Sequence, residues 1–379
     1  MVSKRFAKKL MAGSLAAVML MTSASILPAA SDENVVKAAV KGDEASEGLT
    51  AVDKLVVTSP DGKIKVQIWN DADGAYYYST YLNDCVVIQC SPFGLETSNY
   101  DYRSGYDLDE SSVKIVDGKY DYDLIQGPVN HVKKDYKELD FTLTQGDTRM
   151  TMNFRVDNEG VAYRYQFDAD STRDDEAISI TNEDSNFILP DSSTLWTIDR
   201  SATYEAGTYT ERTMSQVKSA NATYSTPILA NTGADADNAW VLLSESSVYN
   251  NDDPYCASVF QTSSGKKNIK VRFGEDLNDE QEGEKYHKVT HDRRHTWLKS
   301  VDFKGSVETP WRVAIIGETL GDVTKSTLIP DLNPDPVGDF SWVEPGTSVW
   351  SWWSTFSDNI DYDSMKDYID FCSESGITY

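Results

Sequence analysis

From Leu55 onward, apolar and polar residues alternate in short runs separated by turn formers. Lys63-Ile64-Lys65-Val66-Gln67-Ile68 repeats with period two, Asp71-Ala72-Asp73-Gly74 offers a turn, and Ala75 to Tyr81 follows, which predicts a hairpin. The pattern returns at Val113 to Val116 with Asp117-Gly118 as its turn signal, at Leu139 to Thr144, and at Met150 to Val156. Asp157-Asn158-Glu159-Gly160 then leads into Val161 to Phe167, and later runs are Trp240 to Leu243, Ile269 to Phe273 and Trp311 to Ile316. Strand upon strand with scarcely a helical stripe predicts a mainly β domain over residues 51–328, a large antiparallel sandwich.

Ile329-Pro330-Asp331-Leu332-Asn333-Pro334-Asp335-Pro336 breaks this rhythm, because closely spaced prolines sustain neither ladder nor helix. Residues 329–347 are therefore expected to be a linker. Ser348-Val349-Trp350-Ser351-Trp352-Trp353 reads as a short buried-type strand, and Met365, Tyr368, Ile369 and Cys372 recur at i, i+3, i+4 and i+7. Asp361 or Asp363 would cap that helix and Gly376 would stop it. Residues 348–379 thus look like the first strand and helix of a truncated (β/α)8 barrel, whose full form needs about 250 residues.

At the other end, Lys4, Arg5, Lys8 and Lys9 precede the apolar Leu10 to Met21 and the small-residue stretch ending Pro28-Ala29-Ala30. That is the layout of a secretory signal peptide over 1–30, followed by a flexible tail over 31–50, so the expectation is a secreted protein, extracellular or in the cell envelope, without a transmembrane segment. Loss of the signal cations takes the formal charge of −26 four units lower, which repels nucleic acid and anionic membranes. A neutral partner such as an oligosaccharide fits better, and 21 Tyr and 9 Trp supply flat faces for sugar rings as well as filling for sandwich cores. Cys85, Cys90, Cys256 and Cys372 are too few for a disulfide scaffold, so packing must hold the fold.

Candidate chemistry is sparse. His287, His291 and His295 are four apart, but their charged segment lacks a helical stripe and reads as a solvated loop more readily than as a zinc site. Asp331-x-Asn333-x-Asp335 begins like a calcium loop, yet Pro336 replaces the glycine and Trp342 the final glutamate. A hydrolytic triad would have to rely on His131 or on that histidine cluster, and a mutarotase centre on His131. Five of the Trp fall between Trp311 and Trp353, so Trp352 or Trp353 could wall a sugar pocket or seal the interface between sandwich and barrel. The stretch Trp196 to Tyr209 interrupts the strand rhythm and carries Asp199, Arg200 and Glu205 among aromatic residues.

Several motifs together resemble glycoside hydrolase family 97, the α-glucosidases and α-galactosidases of bacterial polysaccharide utilisation. They are Ser59-Pro60-Asp61-Gly62-Lys63, Ser91-Pro92-Phe93-Gly94-Leu95, Phe154-Arg155, Gly160-Val161-Ala162-Tyr163-Arg164-Tyr165 and Tyr204-Glu205 with Gly207 and Tyr209. Thr309-Pro310-Trp311-Arg312-Val313, Leu332-Asn333-Pro334, Trp350-Ser351-Trp352-Trp353-Ser354 and Tyr368-Ile369-Asp370-Phe371 complete the series. The resemblance implies a β-super-sandwich, a catalytic (β/α)8 barrel, and an active-site calcium ion held by carboxylates, one of them from the sandwich at the position of Glu205. Ala206 separates Glu205 from Gly207, and Glu211 is the alternative ligand. The two carboxylates of glycoside hydrolysis are implied to lie on later barrel strands, so no catalytic residue is expected in this chain and they would follow Tyr379. The expected whole is an exo-acting α-glycosidase; the competing reading is a carbohydrate-binding or structural sandwich without catalysis.

Overall fold

A computed structural model describes residues 48–167, 178–200, 208–250, 253–266, 268–274, 298–303, 305–351 and 360–379. The chain begins with a meander of β1 (Thr50–Thr58), β2 (Ile64–Asn70), β3 (Tyr76–Leu82) and β4 (Cys85–Phe93). The short β5 (Leu95–Thr97) precedes the long β6 (Asp107–Asp123) and β7 (His131–Gln145), then β8 (Thr148–Asp157) and β9 (Gly160–Phe167). Next come β10 (Ile178–Glu183), β11 (Asn186–Ile188), β12 (Thr194–Thr197), β13 (Thr210–Thr213) and helix α1 (Met214–Ser219). They are followed by β14 (Thr223–Tyr224), β15 (Ile228–Asn231), β16 (Trp240–Ser246), β17 (Tyr249–Asn250) and β18 (Asp253–Pro254). β19 (Ser258–Gln261), β20 (Asn268–Phe273), β21 (Val301–Phe303), β22 (Val307–Glu308) and β23 (Trp311–Gly317) end the strands. Helices α2 (Leu320–Lys325), α3 (Leu328–Asp331) and α4 (Tyr362–Ser375) follow.

Two antiparallel sheets carry the domain, in the orders β1-β2-β3-β4-β11-β20-β19-β14 and β13-β12-β15-β16-β23-β9-β8-β7-β6, with β22 also on β9. The mainly β antiparallel sandwich expected from the alternation is what forms. Ile64, Val66 and Ile68 turn inward while Lys65 and Gln67 stay at the margin, the division that period-two patterning dictates. Between the sheets, Tyr78 of the first meets Tyr163 and Phe154 of the second at ring-centroid distances of 5.1 and 5.7 Å. Each such buried ring contributes roughly 2–3 kcal/mol by leaving water. The Tyr78 hydroxyl donates to Asn186 O at 2.8 Å, so its polar tip is satisfied inside the core.

The predicted hairpins form, with Ile64 opposite Leu82 and Asp157 opposite Gly160. Asp117-Gly118 makes no turn. β6 runs straight through it, and Gly118 sits opposite Tyr136, whose ring would lie 2.1 Å from an added Cβ. Glycine here makes room for a cross-strand aromatic ring. On the outer face of the larger sheet, Trp311, Val313 and Ile315 pack with Val323, Leu328 and Leu332, so α2 and α3 cover part of that face. Pro330 does not prevent the single turn of α3, because a proline in the first turn of a helix removes no internal hydrogen bond.

Residues 332–351 carry no strand or helix. Of the strand expected from Ser348, residues 348–351 form only a short extended contact, in which Tyr379 N donates to Thr347 O (3.1 Å) and Val349 N to Tyr379 O (2.8 Å), the hydrogen-bond pattern of a parallel pair. Between these segments lies α4. Asp361 caps it by accepting from Ser364 N at 2.9 Å, and Gly376 ends it at φ +67°, as the sequence predicted. All four cysteines are free thiols.

Candidate functional site

β12 ends at Thr197, and β13, an edge strand of the larger sheet, begins at Thr210 directly opposite. Residues 198–200, just after β12, are tied down on two sides. Arg200 N donates to Thr223 O (2.9 Å) and Ser225 N to Ile198 O (3.0 Å), joining these residues to the segment at β14. The Arg212 guanidinium reaches back to both carboxylate oxygens of Asp199 (2.9 and 3.1 Å) and lies over the Tyr224 ring. On the opposite face of the sheet, Trp196 and Trp240 stack at 5.4 Å. Glu205 itself lies outside the described residues, as do Trp352 and the histidines at 287, 291 and 295. Glu211, the alternative to Glu205, is exposed on β13 opposite Trp196.

The carboxylates of Asp157, Glu159 and Asp331 converge within 4.8 Å, close enough in principle for a cation. A side chain of the protein already fills that position. Lys134 Nζ stands 2.7 Å from Asp157, 2.8 Å from Glu159 and 2.6 Å from Asp331. An ammonium in the middle leaves no room for a metal ion, so the group does not fit calcium and serves as an internal ion cluster. Sequence spacing gave no hint of it, because its members come from β7, the end of β8, the β8–β9 turn and α3.

A second buried knot lies inside the sandwich. Arg312 is 1% exposed and pairs with both oxygens of Glu183 at 2.6 Å and with Glu245 at 2.7 Å. Ser185 donates to Glu183 (2.7 Å), and Tyr165 and Ser185 hydroxyls meet at 2.8 Å. Burial acts against the charge on Arg312, but Glu183 and Glu245 outweigh it and hold the guanidinium protonated. The signal was present in the sequence, since Arg312 falls within the apolar run Trp311 to Ile316, all of it buried. Glu183 also lines an open cavity of about 610 Å³ with Asn182, Gln261, Lys270, Arg272 and Phe273.

His131 is placed at the exposed start of β7, its ring nitrogens 2.7 Å from Asp123 and 3.3 Å from Asp121. It belongs to neither buried cluster. Among the described residues no helix is long and apolar enough to cross a membrane.

The fold is shared with solved glycosidases. A β-arabinopyranosidase superposes with a TM-score of 0.70 at 22% identity, over 86% of this chain and 50% of that one. A glycoside hydrolase family 97 enzyme from Pseudoalteromonas sp. strain K8, solved with acarbose, gives 0.67 at 21%, over 85% and 46%. The chain belongs to the Glycosyl-hydrolase 97 N-terminal family, which it matches over residues 57–334. It is 25% identical to a probable retaining α-galactosidase of Streptomyces bingchenggensis, over 77% of this chain and 40% of that protein. It is 23% identical to the retaining α-galactosidase of Bacteroides thetaiotaomicron, over 87% and 50%. The chain therefore spans about half or less of the length of these relatives.

Proposed function

We propose that the chain is the N-terminal portion of a secreted, calcium-dependent, exo-acting α-glycosidase that removes terminal α-linked sugars and is inactive without the remainder of the enzyme. The observation that carries this reading is the family match over residues 57–334, in a chain spanning half or less of its glycosidase relatives. One relative is a retaining α-galactosidase and the other a probable one, which favours an α-galactoside over an α-glucoside. Retention needs two carboxyl groups about 5–5.5 Å apart, one attacking the anomeric carbon and one serving as acid and then base. In this reading both come from barrel strands after Tyr379, Glu205 contributes one oxygen ligand to calcium, and Trp352 walls the sugar site. Calcium takes six to eight oxygen ligands, so a single glutamate is one part of a set completed elsewhere.

The test is an assay of the complete enzyme on α-galactosides and α-glucosides, with and without chelator, beside the same assay of this chain alone. Turnover by the complete enzyme with none from the chain is the expected result. If the complete protein turns over neither substrate while this chain binds oligosaccharide, the domain is a binding module and the enzymatic reading falls.

A further inference from the structure

The Lys134 cluster carries more negative charge than it neutralises. Three carboxylates face one ammonium, and the Asp157 and Asp331 side chains are wholly buried. We propose that this cluster is a proton-sensitive latch, taking up one proton among its carboxylates in mildly acidic solution and holding α3 and the chain beyond it more tightly in that state.

Placement makes it a latch. Asp331 is the last residue of α3, where the chain leaves the sandwich, while Lys134 and Asp157 are on sheet strands and Glu159 is in the turn between two of them. From β6, Tyr122 donates to Asp331 at 2.5 Å and the Tyr120 ring lies 5.8 Å from Lys134 Nζ. From β7 comes Lys134, and from β8 come Asp157 and Arg155, the latter turned toward Glu138 and the Tyr120 hydroxyl. The β8–β9 turn supplies Glu159, which also accepts from Thr327 N (2.7 Å) and Ser326 Oγ (2.8 Å) just ahead of α3. Thr327 Oγ1 donates to Asp331 at 3.0 Å. These groups tie α3 to the sheet through Asp331, beside the packing of Leu328 and Leu332 on Trp311, Val313 and Ile315.

Asp157 is the group that takes the proton. Burial lifts its carboxyl to about 6 despite the opposing pull of Lys134, with Glu159 adding to the rise. A carboxyl that holds its proton more tightly folded than unfolded makes the native state bind the excess protons, so its contribution to stability grows as pH falls through 6 toward 4. Neutralising it removes one of the two uncompensated charges and the repulsion Asp157 exerts on Asp331 and Glu159. Lys134 then remains shared between the latter two.

The experiment compares thermal melting of the full chain with Asp157→Asn and Lys134→Met between pH 5.5 and 7.5, together with proteolysis within residues 332–347. Relative to Asp157→Asn, the parent melting temperature should rise by about 2 °C on going from pH 7.5 to 5.5, and its cleavage should slow. Asp157→Asn, a neutral isostere, should melt no lower than the parent at pH 7.5 and be cleaved at one rate throughout. Lys134→Met, which leaves two buried carboxylates and the partly exposed Glu159 together without a cation, should melt well below both. An identical pH slope in the parent and Asp157→Asn would overturn the proposal. So would a loss in Asp157→Asn at pH 7.5 equal to that of Lys134→Met, or its failure to fold, since either means the ionised carboxylate is required.

Discussion

Arg312 and Glu183 meet side by side, Nε to Oε1 and Nη2 to Oε2, both at 2.6 Å, with each side chain 1% exposed. The pair joins β23 of one sheet to β10, and Glu245 of β16 completes the knot from the other side. A buried pair of this kind is costly to break from one side, because the survivor is left charged and dry. Arg312→Met should therefore destabilise by about 3–5 kcal/mol in urea unfolding. Adding Glu183→Gln to it should recover a substantial part, and strictly additive losses would mean that the two residues act independently.

Gly160 shows how closely β9 approaches β23. A Cβ there would lie 2.3 Å from Ala314 O and 2.9 Å from Ile315 Cα, both backbone atoms of the neighbouring strand. Neither can rotate aside as a side chain could. Gly160→Ala should lower stability by about 2 kcal/mol or more, whereas the same change at Gly62, with nothing within 4 Å but φ at +83°, meets only backbone strain of about 1 kcal/mol. Equal melting temperatures for the two variants would contradict the close approach.

Cys256 lies near the Arg312 knot, and burial pushes its thiol up to about 12, Arg312 opposing and Glu183 adding to the rise. The reactive species is the thiolate, so at pH 8.5 native Cys256 should alkylate about a thousandfold more slowly than the same cysteine in urea. Peptide mass mapping after timed iodoacetamide treatment reads this directly. Rapid native labelling would mean that the surrounding knot opens readily.

The sandwich was legible in the sequence because sheet alternation is a local signal. Ile64, Val66 and Ile68 announce their inward face without reference to anything distant. The helix between Asp361 and Gly376 was legible for the same reason, since caps and stripe lie within one turn of each other. Gly118 was misread because glycine in a turn and glycine beneath a cross-strand ring look alike until Tyr136 is placed opposite. The Lys134 cluster was out of reach altogether, its members drawn together across nearly the whole domain by sheet order. Arg312 stood between: an arginine in an apolar run signals burial, but its partners at 183 and 245 follow only from pairing.

Glu205 carries the most consequential expectation for the complete enzyme. The described residues that precede it are held by Arg212 gripping Asp199 and by the backbone bonds of Ile198 and Arg200 to Ser225 and Thr223. If Glu205 supplies a calcium oxygen, Glu205→Gln keeps the side-chain shape but loses the charge that a hard cation prefers. Calcium affinity, measured by titration calorimetry on the complete enzyme, should fall at least tenfold, and the protection that calcium gives against heat should shrink with it. Glu211→Gln should leave both unchanged. Should Glu211→Gln lower calcium affinity while Glu205→Gln does not, the ligand is Glu211. Neither variant changing the affinity would remove this domain from the metal site.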